Sequence, residues 1–436
     1  FLYEEQTRRG ISVRHFEEMN DVADHCTVCH RCLSPCPVDI DFGDVSINMR
    51  QVLNQQGKRN RKLGTMASMA YLNAKDPMVV NVGRKLMIDW GFTAQRLGNQ
   101  WIGKLPSVFR NKKKPQPTGL GATKPVEQVV HFVNRKLPSK KYLPTKPMRA
   151  LLGVEDNDYV PILRNPDVVD ETSEAVFYFP GCGSERLFSK VGLATLAMLY
   201  DAGVQTVLPP GYLCCGYPQT SSGDKATGQK ITTDNRVLFH RVANTLNYLD
   251  IKTVVVSCGT CMDQLMKYEF EQIFPGCRLI DIHELLMEKG YSIDGVEGVQ
   301  YLYHEPCHTP MKQYDALSVT RSLVGPKVEL SDRCCGEAGT FAVARPDIAT
   351  QVRFRKAEEL HKGIKAATGT EVTAPGKMKM LTSCPACVQG LSRYEDETGL
   401  ETDYIVVEVA QHILGDDWIE GFIEKAQHGG VERVLL

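Results

Sequence analysis

Residues 175–180 read AVFYFP, and the architecture can be built from this stretch. Five apolar residues in a row stop at Pro180, and Gly181-Cys182 follows, so the run reads as a strand buried on both faces. Downstream of it, the spacing predicts a helix over Val191–Tyr200 closed at Gly203 and a strand at Val204–Leu208. A helix across Arg236–Leu249 and a strand at Thr253–Ser257 come next. The order then recurs, with a strand at Gln300–Tyr303, a helix at Ala316–Leu323, a strand at Lys327–Leu330, a helix at Ile348–Ala366 and a strand at Met378–Thr382. A last strand and helix, Tyr404–Ile413, close the second set. Cys182 and Cys307 lie 125 residues apart, and that offset superposes the order of the cysteines as well as the elements.

Strand–helix alternation of this kind predicts an α/β protein with two duplicated Rossmann-like units, residues 171–295 and 296–436. Each unit carries five cysteines in one order. The first has Cys182, then Cys214-Cys215-Gly216, then Cys258-x2-Cys261; the second has Cys307, then Cys334-Cys335-Gly336, then Cys384-x2-Cys387. All stand at the ends of predicted strands, where α/β units build their sites, so three segments per unit can converge on one point. A vicinal disulfide strains the peptide. As thiolates, adjacent cysteines can instead supply two ligands to one cluster, and a following glycine lets the backbone approach closely. Five thiolates exceed what one cubane needs.

A third group opens the chain. Cys26, Cys29, Cys32 and Cys36-Pro37 form C-x2-C-x2-C-x3-C-P, recognised as the bacterial ferredoxin run. It marks residues 1–60 as a helical ferredoxin-like [4Fe–4S] domain. In that pattern the first three thiolates face one cluster and the fourth serves a neighbour, so a second run is required. Two resolutions stand open: a partner run upstream of Phe1, matching the missing initiator Met, or one cluster held by all four cysteines. Zinc more usually shows paired C-x2-C units far apart, and disulfides need an oxidising compartment for which there is no signal. Fourteen of the 15 cysteines are thereby grouped, leaving Cys277 as a small core or surface residue.

The chain has 436 residues, 24% charged and 42% hydrophobic, enough for two or three domains with real cores and incompatible with disorder. No apolar run approaches the roughly 18 residues of a membrane span. The net charge of -1 hides an uneven distribution. Between Arg50 and Ala150 stand 21 Lys and Arg against three acids (Asp76, Asp89 and Glu127), a net +18, leaving −19 elsewhere. Residues 61–170 lack cysteine, and Pro115, Pro117, Pro125, Pro138, Pro144 and Pro147 make their second half a connector without long helices. Trp101, Ile102, Leu105, Val108 and Phe109 repeat at helical spacing beside Lys104, Arg110 and Lys112 to Lys114. Such a stretch suits either an acidic protein surface or an anionic membrane surface, and Pro106 favours protein docking. Nucleic acid is not an expected partner, since no recognition module accompanies the charge.

Beside the cysteines, His304 and His308 in His304-Glu305-Pro306-Cys307-His308 are candidates for proton transfer or for a hydrogen bond to cluster sulfur. The plainer alternative is a structural histidine satisfying loop carbonyls. Glu305 and Glu337 are further proton-transfer candidates, while His25 and His30 flank cluster cysteines. No G-x-G-x-x-G follows a strand, so a flavin has its place elsewhere.

The duplicated cysteine pattern over 171–436 resembles the CCG cysteine-rich domains of heterodisulfide reductase. It equally resembles the iron–sulfur subunits of glycolate oxidase, anaerobic glycerol-3-phosphate dehydrogenase and lactate-utilisation complexes. With the ferredoxin run, the whole resembles a glycolate-oxidase-type iron–sulfur subunit. The basic middle and the ending Gly429-Gly430-Val431-Glu432-Arg433-Val434-Leu435-Leu436 look most like the C-terminal part of large bacterial fusion proteins, in which an FAD-binding, lactate-dehydrogenase-like domain comes first. The absent first ferredoxin run departs from the family pattern.

The resemblance implies an oxidoreductase component that passes electrons from FAD, in an upstream domain or partner, through [4Fe–4S] clusters to an acceptor such as quinone. It implies a 2-hydroxyacid of the D-lactate or glycolate type as substrate. It assigns cluster binding to the four ferredoxin-run cysteines and to all five of each unit, as a non-cubane or an ordinary relay cluster. The alternative it carries is a thiol–disulfide redox enzyme of the heterodisulfide reductase kind. The expected location is the cytoplasm, or peripherally the inner face of the cell membrane.

Overall fold

The computed structural model describes residues 16–60, 63–103, 129, 144–170, 172–337, 341 and 345–436. Among the described residues, ten strands form two sheets. The first holds β1 (Tyr159–Leu163), β2 (Ala175–Phe179), β3 (Gln205–Val207), β4 (Ile251–Val256) and β5 (Arg278–Asp281). The second holds β6 (Gln300–His304), β7 (Val328–Ser331), β8 (Met378–Thr382) and β9 (Glu401–Tyr404), while β10 (Val431–Leu435) returns to the first.

The second sheet runs β7-β6-β8-β9, all parallel, and the first contains the same order as β3-β2-β4-β5, also parallel. The duplication expected from the 125-residue offset is thus present strand for strand, and the α/β class with it. Every residue of β2 is buried, as the apolar run required of a strand covered on both faces. In each parallel set the first strand, β2 or β6, sits between the second and third, so the chain order reverses there. The carboxyl ends of β2 with β4, and of β6 with β8, therefore frame the crevice where open parallel sheets bind ligands.

Helix Ser189–Asp201 and helix Ile405–Leu414 pack together, and one apolar core runs through both units, from Val176, Leu196 and Ile280 to Tyr303, Leu381 and Val406. Tyr178 Oη lies 2.8 Å from Ser257 Oγ, and Tyr303 Oη lies 3.3 Å from Ser383 Oγ, the same contact made twice. Tyr404 Oη bridges the copies, at 2.6 Å from Ser257 O and 3.0 Å from Ser383 O.

Some elements depart from the sequence expectation. The predicted helix Arg236–Leu249 spans Lys225–Thr245, because the Asp224 carboxylate accepts from Thr227 N and sets an earlier start. Tyr159–Leu163, expected as connector, is β1, antiparallel to β3, and β10 pairs antiparallel with it from Tyr159↔Leu435 to Leu163↔Val431. The last strand of the chain thereby covers an edge that would otherwise be open. Helices Leu63–Asn73, Pro77–Arg84 and Phe92–Gly103 precede the proline-rich stretch. Trp101 is 75% exposed. Leu105, Val108, Phe109 and the lysines from 112 to 114 lie outside the described residues, as do Pro106, Pro115, Pro117, Pro125 and Pro138. Among the described residues, no helix is long and apolar enough to cross a membrane.

Candidate metal centres

The first unit gathers its five cysteines at the β2/β4 crevice. Cys182 follows β2, Cys258 follows β4, and Cys261 lies one turn into helix Gly259–Leu265. Cys214 and Cys215 arrive on the loop after β3. That loop can turn because Gly216 holds φ +89°, where an added Cβ would stand 2.9 Å from Gly228 O. The thiols stand close enough to shift one another's pKa in series, Cys182 with Cys214, Cys214 with Cys215, Cys215 with Cys261 and Cys261 with Cys258. The Cys182 turn is clamped from below by the buried pair Arg149–Glu185, and Arg84 donates to the carbonyls of Arg186 and Leu187.

The second unit repeats this. Cys307 meets Cys334, Cys334 meets Cys335, Cys335 Sγ lies 3.5 Å from Cys387 Sγ, and Cys387 meets Cys384. Thiols so close cannot all ionise by themselves. Hydrogen bonds from Cys214 and Cys261 bring the Cys215 thiol down to about 6, and those from Cys307 and Cys335 bring Cys334 to about 2. Their partners Cys261 and Cys307 are pushed far up. A bound cation removes this conflict, since a coordinating thiol is deprotonated outright. All fifteen cysteines are free thiols. Backbone space has also been cleared: a Cβ on Gly181 would stand 2.6 Å from Cys261 Sγ, and one on Gly390 3.4 Å from Cys335 Sγ. Convergent thiols, free of disulfides and half of them buried, are the donor set of a thiolate-held cluster, and these residues fit one.

The N-terminal run lies on the loop between helix Phe16–His25 and helix Phe42–Gln55, whose N-terminus Asp41 caps by accepting from Gly43 N at 2.7 Å. Phe42 N donates to Cys32 Sγ and Ile40 N to Cys36 Sγ, each at 3.3 Å. Cys29 turns to the second unit, where the Cys307 thiol holds it down at about 5. Arg31 fastens this junction through the carbonyls of Glu305, Pro306 and Asp332. Beside it opens a cavity of about 350 Å³ lined by Cys29, Arg31, Tyr217, Lys267, Cys307 and His308 among others.

His308 stands where the three parts meet. Its Nδ1 is 2.5 Å from Asp263 Oδ2, and its Nε2 is 2.8 Å from Val28 O and 3.2 Å from Tyr217 Oη. Burial works against its charge, yet the hydrogen bond and charge of Asp263 outweigh that and raise its pKa. Val28 is left-handed at φ +56°, a conformation a β-branched residue adopts when its surroundings enforce it, and its carbonyl is held from the other units.

His304 is buried at the end of β6 and its pKa falls to about 3, chiefly through burial and then through the Lys356 charge. Glu337 is buried in an ion pair with Arg393 at 2.7 Å, with Gln389 Nε2 also 2.7 Å away, so it is committed to structure. Glu305 contributes its carbonyl. His25 is exposed beside Asp21, and His30 Nδ1 lies 2.5 Å from Asp41. Cys277 is half-buried, packed against the first unit's core. Sequence reasoning missed Arg31, Tyr217, Asp263 and Lys356. Of these, Lys356 had a signal, since Ala349, Leu360 and Ile364 place it on the buried face of helix Pro346–Thr368.

The matched crevices and repeated thiol sets define a class: the chain carries two CCG cysteine-rich domains, the family whose model matches residues 176–266 and 301–391. Residues 392–436 match a domain of unknown function. The chain is similar to an uncharacterized iron–sulfur protein of Methanococcus maripaludis, 26% identical over 56% of this chain and 47% of that protein. It is 25% identical to a subunit of the fumarate reductase (CoM/CoB) of Methanothermobacter marburgensis, over 51% of this chain and 42% of the relative. A probable glycolate oxidase iron–sulfur subunit of Bacillus subtilis is 25% identical over 55% of this chain and 54% of its own length. The chain spans about half the length of these curated relatives.

Proposed function

We propose that the chain is the iron–sulfur electron-transfer module of a flavin-linked 2-hydroxyacid dehydrogenase of the D-lactate or glycolate type. In this reading residues 1–60 are ferredoxin-like, the two units are Rossmann-like, and the electrons come from FAD held in another domain or subunit. The observation that carries the reading is that Cys29 and Cys307 line one cavity, which brings the N-terminal run beside the second unit's thiols. Once bound, [4Fe–4S] clusters would supply one-electron steps, and the acceptor would be quinone or another oxidant. The chain's own residues hold and space the centres. The cysteines present thiolates, and Arg31 and His308 tie the run to the two units. The likeness to a glycolate oxidase iron–sulfur subunit supports this substrate class. The net charge of +18 between Arg50 and Ala150 suits an acidic partner such as the flavoprotein.

The test is anaerobic purification and reconstitution, followed by iron and sulfide analysis and titration with a reduced 2-hydroxyacid flavoprotein. The expected result is about twelve irons per chain, from three [4Fe–4S] clusters, bleached by the flavoprotein. Iron and sulfide near zero overturn the reading. Full iron whose spectrum responds to an organic disulfide but not to reduced flavoprotein favours the thiol–disulfide alternative instead.

A further inference from the structure

The two units differ at one position beside their thiols. Three residues before Cys182, at the end of β2, stands Phe179, whose ring packs against Phe239 at 6.1 Å. Three residues before Cys307, at the end of β6, stands His304. The fold therefore accepts an apolar ring there, and the imidazole calls for another reason. Its Nδ1 lies 3.3 Å from Ser331 O, an oxygen that can only accept, so Nδ1 carries the proton. Lys356 Nζ, 3.4 Å from the same nitrogen, has other acceptors in Ser331 Oγ at 2.5 Å and Glu359 Oε2 at 2.7 Å. Nε2 is thus left with its lone pair bare, and it is fully buried with no hydrogen-bond partner in a side chain 1% exposed. Buried ring nitrogens are as a rule hydrogen-bonded, so an orphan one calls for a reason; His283 Nε2 is bare as well, but of the two only His304 stands beside cysteine sulfurs in a group able to hold a metal ion. A ring nitrogen of His304 and the Sγ atoms of Cys335 and Cys387 lie within 4.8 Å of one another. An imidazole that donates one N–H to a backbone carbonyl, keeps its other nitrogen bare and stands beside cysteine sulfurs has the arrangement of a metal-ligating histidine.

We infer that His304 is a nitrogen ligand of the second unit's metal centre, through Nε2, so that the two CCG centres differ in ligand set: thiolate alone in the first, thiolate and imidazole in the second. The inference rests on the reading that these cysteines hold a metal cluster. A neutral imidazole in place of an anionic thiolate raises the reduction potential of an iron–sulfur centre. The second centre is thereby the better electron acceptor of the two, and electrons settle there.

The experiment uses the full chain with its centres assembled anaerobically, poised in their paramagnetic state and studied by pulsed EPR for 14N coupling. The variants are His304→Phe, which copies the first unit, and His304→Cys, which restores a ligand of another kind. The expected result is a directly coordinated nitrogen in the wild type, lost in both variants, with iron per chain retained in His304→Cys. The midpoint potential of one centre moves down in His304→Cys. Full iron without nitrogen coupling in the wild type, or coupling that persists in His304→Cys, overturns the inference while leaving the cluster reading intact. Absence of iron from the wild type overturns both.

Discussion

Gly181 shows how tightly the thiols are seated. Its φ of +69° and the 2.6 Å approach of Cys261 Sγ to where a Cβ would stand leave no room for alanine. Gly181→Ala is expected to displace Cys261 and cost about four irons, one cluster's worth, while the second centre stays loaded. Iron analysis with the EPR signal of each centre checks this; full iron would show that the loop yields. The glycine is visible in the sequence as part of a strand-ending Pro-Gly-Cys, but its necessity is not, because Cys261 comes from a different loop. His304 and Lys356 divide in the same way. The histidine is conspicuous beside Cys307, whereas Lys356 is one charge among many until helix Pro346–Thr368 carries it beneath β6.

At the scale of elements, β6, β8 and helix Ile405–Leu414 are linked through one carboxylate. Glu408 accepts from Tyr301 Oη at 2.8 Å and pairs with Lys379 Nζ at 2.9 Å. Burial works against the charged form of Glu408, but the Lys379 charge prevails and holds its pKa below the usual value. A depressed folded-state pKa means that this stabilisation is complete above the ordinary glutamate range near 4.3 and is lost as pH falls through the lowered value. Glu408→Gln should therefore cost about 2 kcal/mol at neutral pH and flatten the acid limb of the stability curve. Denaturant melts at neutral pH and below pH 4 measure both effects, and an unchanged acid limb would refute the assignment. The strands and long helices of the two units were legible from apolar runs and their repetition. The pairing of β10 with β1 was not, since two short strands separated by nearly the whole fold leave no local signal of each other.

At the scale of the molecule, the N-terminal loop is riveted to both units by arginines. Arg50, 8% exposed, donates to Ala23 O and Cys26 O within its own segment and to Ser221 O of the first unit at 2.6 Å. Arg31 reaches the second unit at Glu305, Pro306 and Asp332. Arg50→Ala leaves several carbonyls without donors and should speed amide exchange of residues 21–32 by roughly tenfold to a hundredfold, with the unit cores unchanged. Hydrogen exchange resolved along the chain tests it, and uniform exchange in variant and wild type would remove Arg50 from this role.

Apolar runs and fixed ligand spacings are local or periodic properties, so the class of fold, its duplication and the three cysteine groups could be read from the chain alone. Which thiols meet across the units, which nitrogen of His304 is left bare, and where the last strand lies emerged only on folding. Those depend on contacts between residues far apart in sequence, made when two similar sheets share one core and the N-terminal loop is held over their seam.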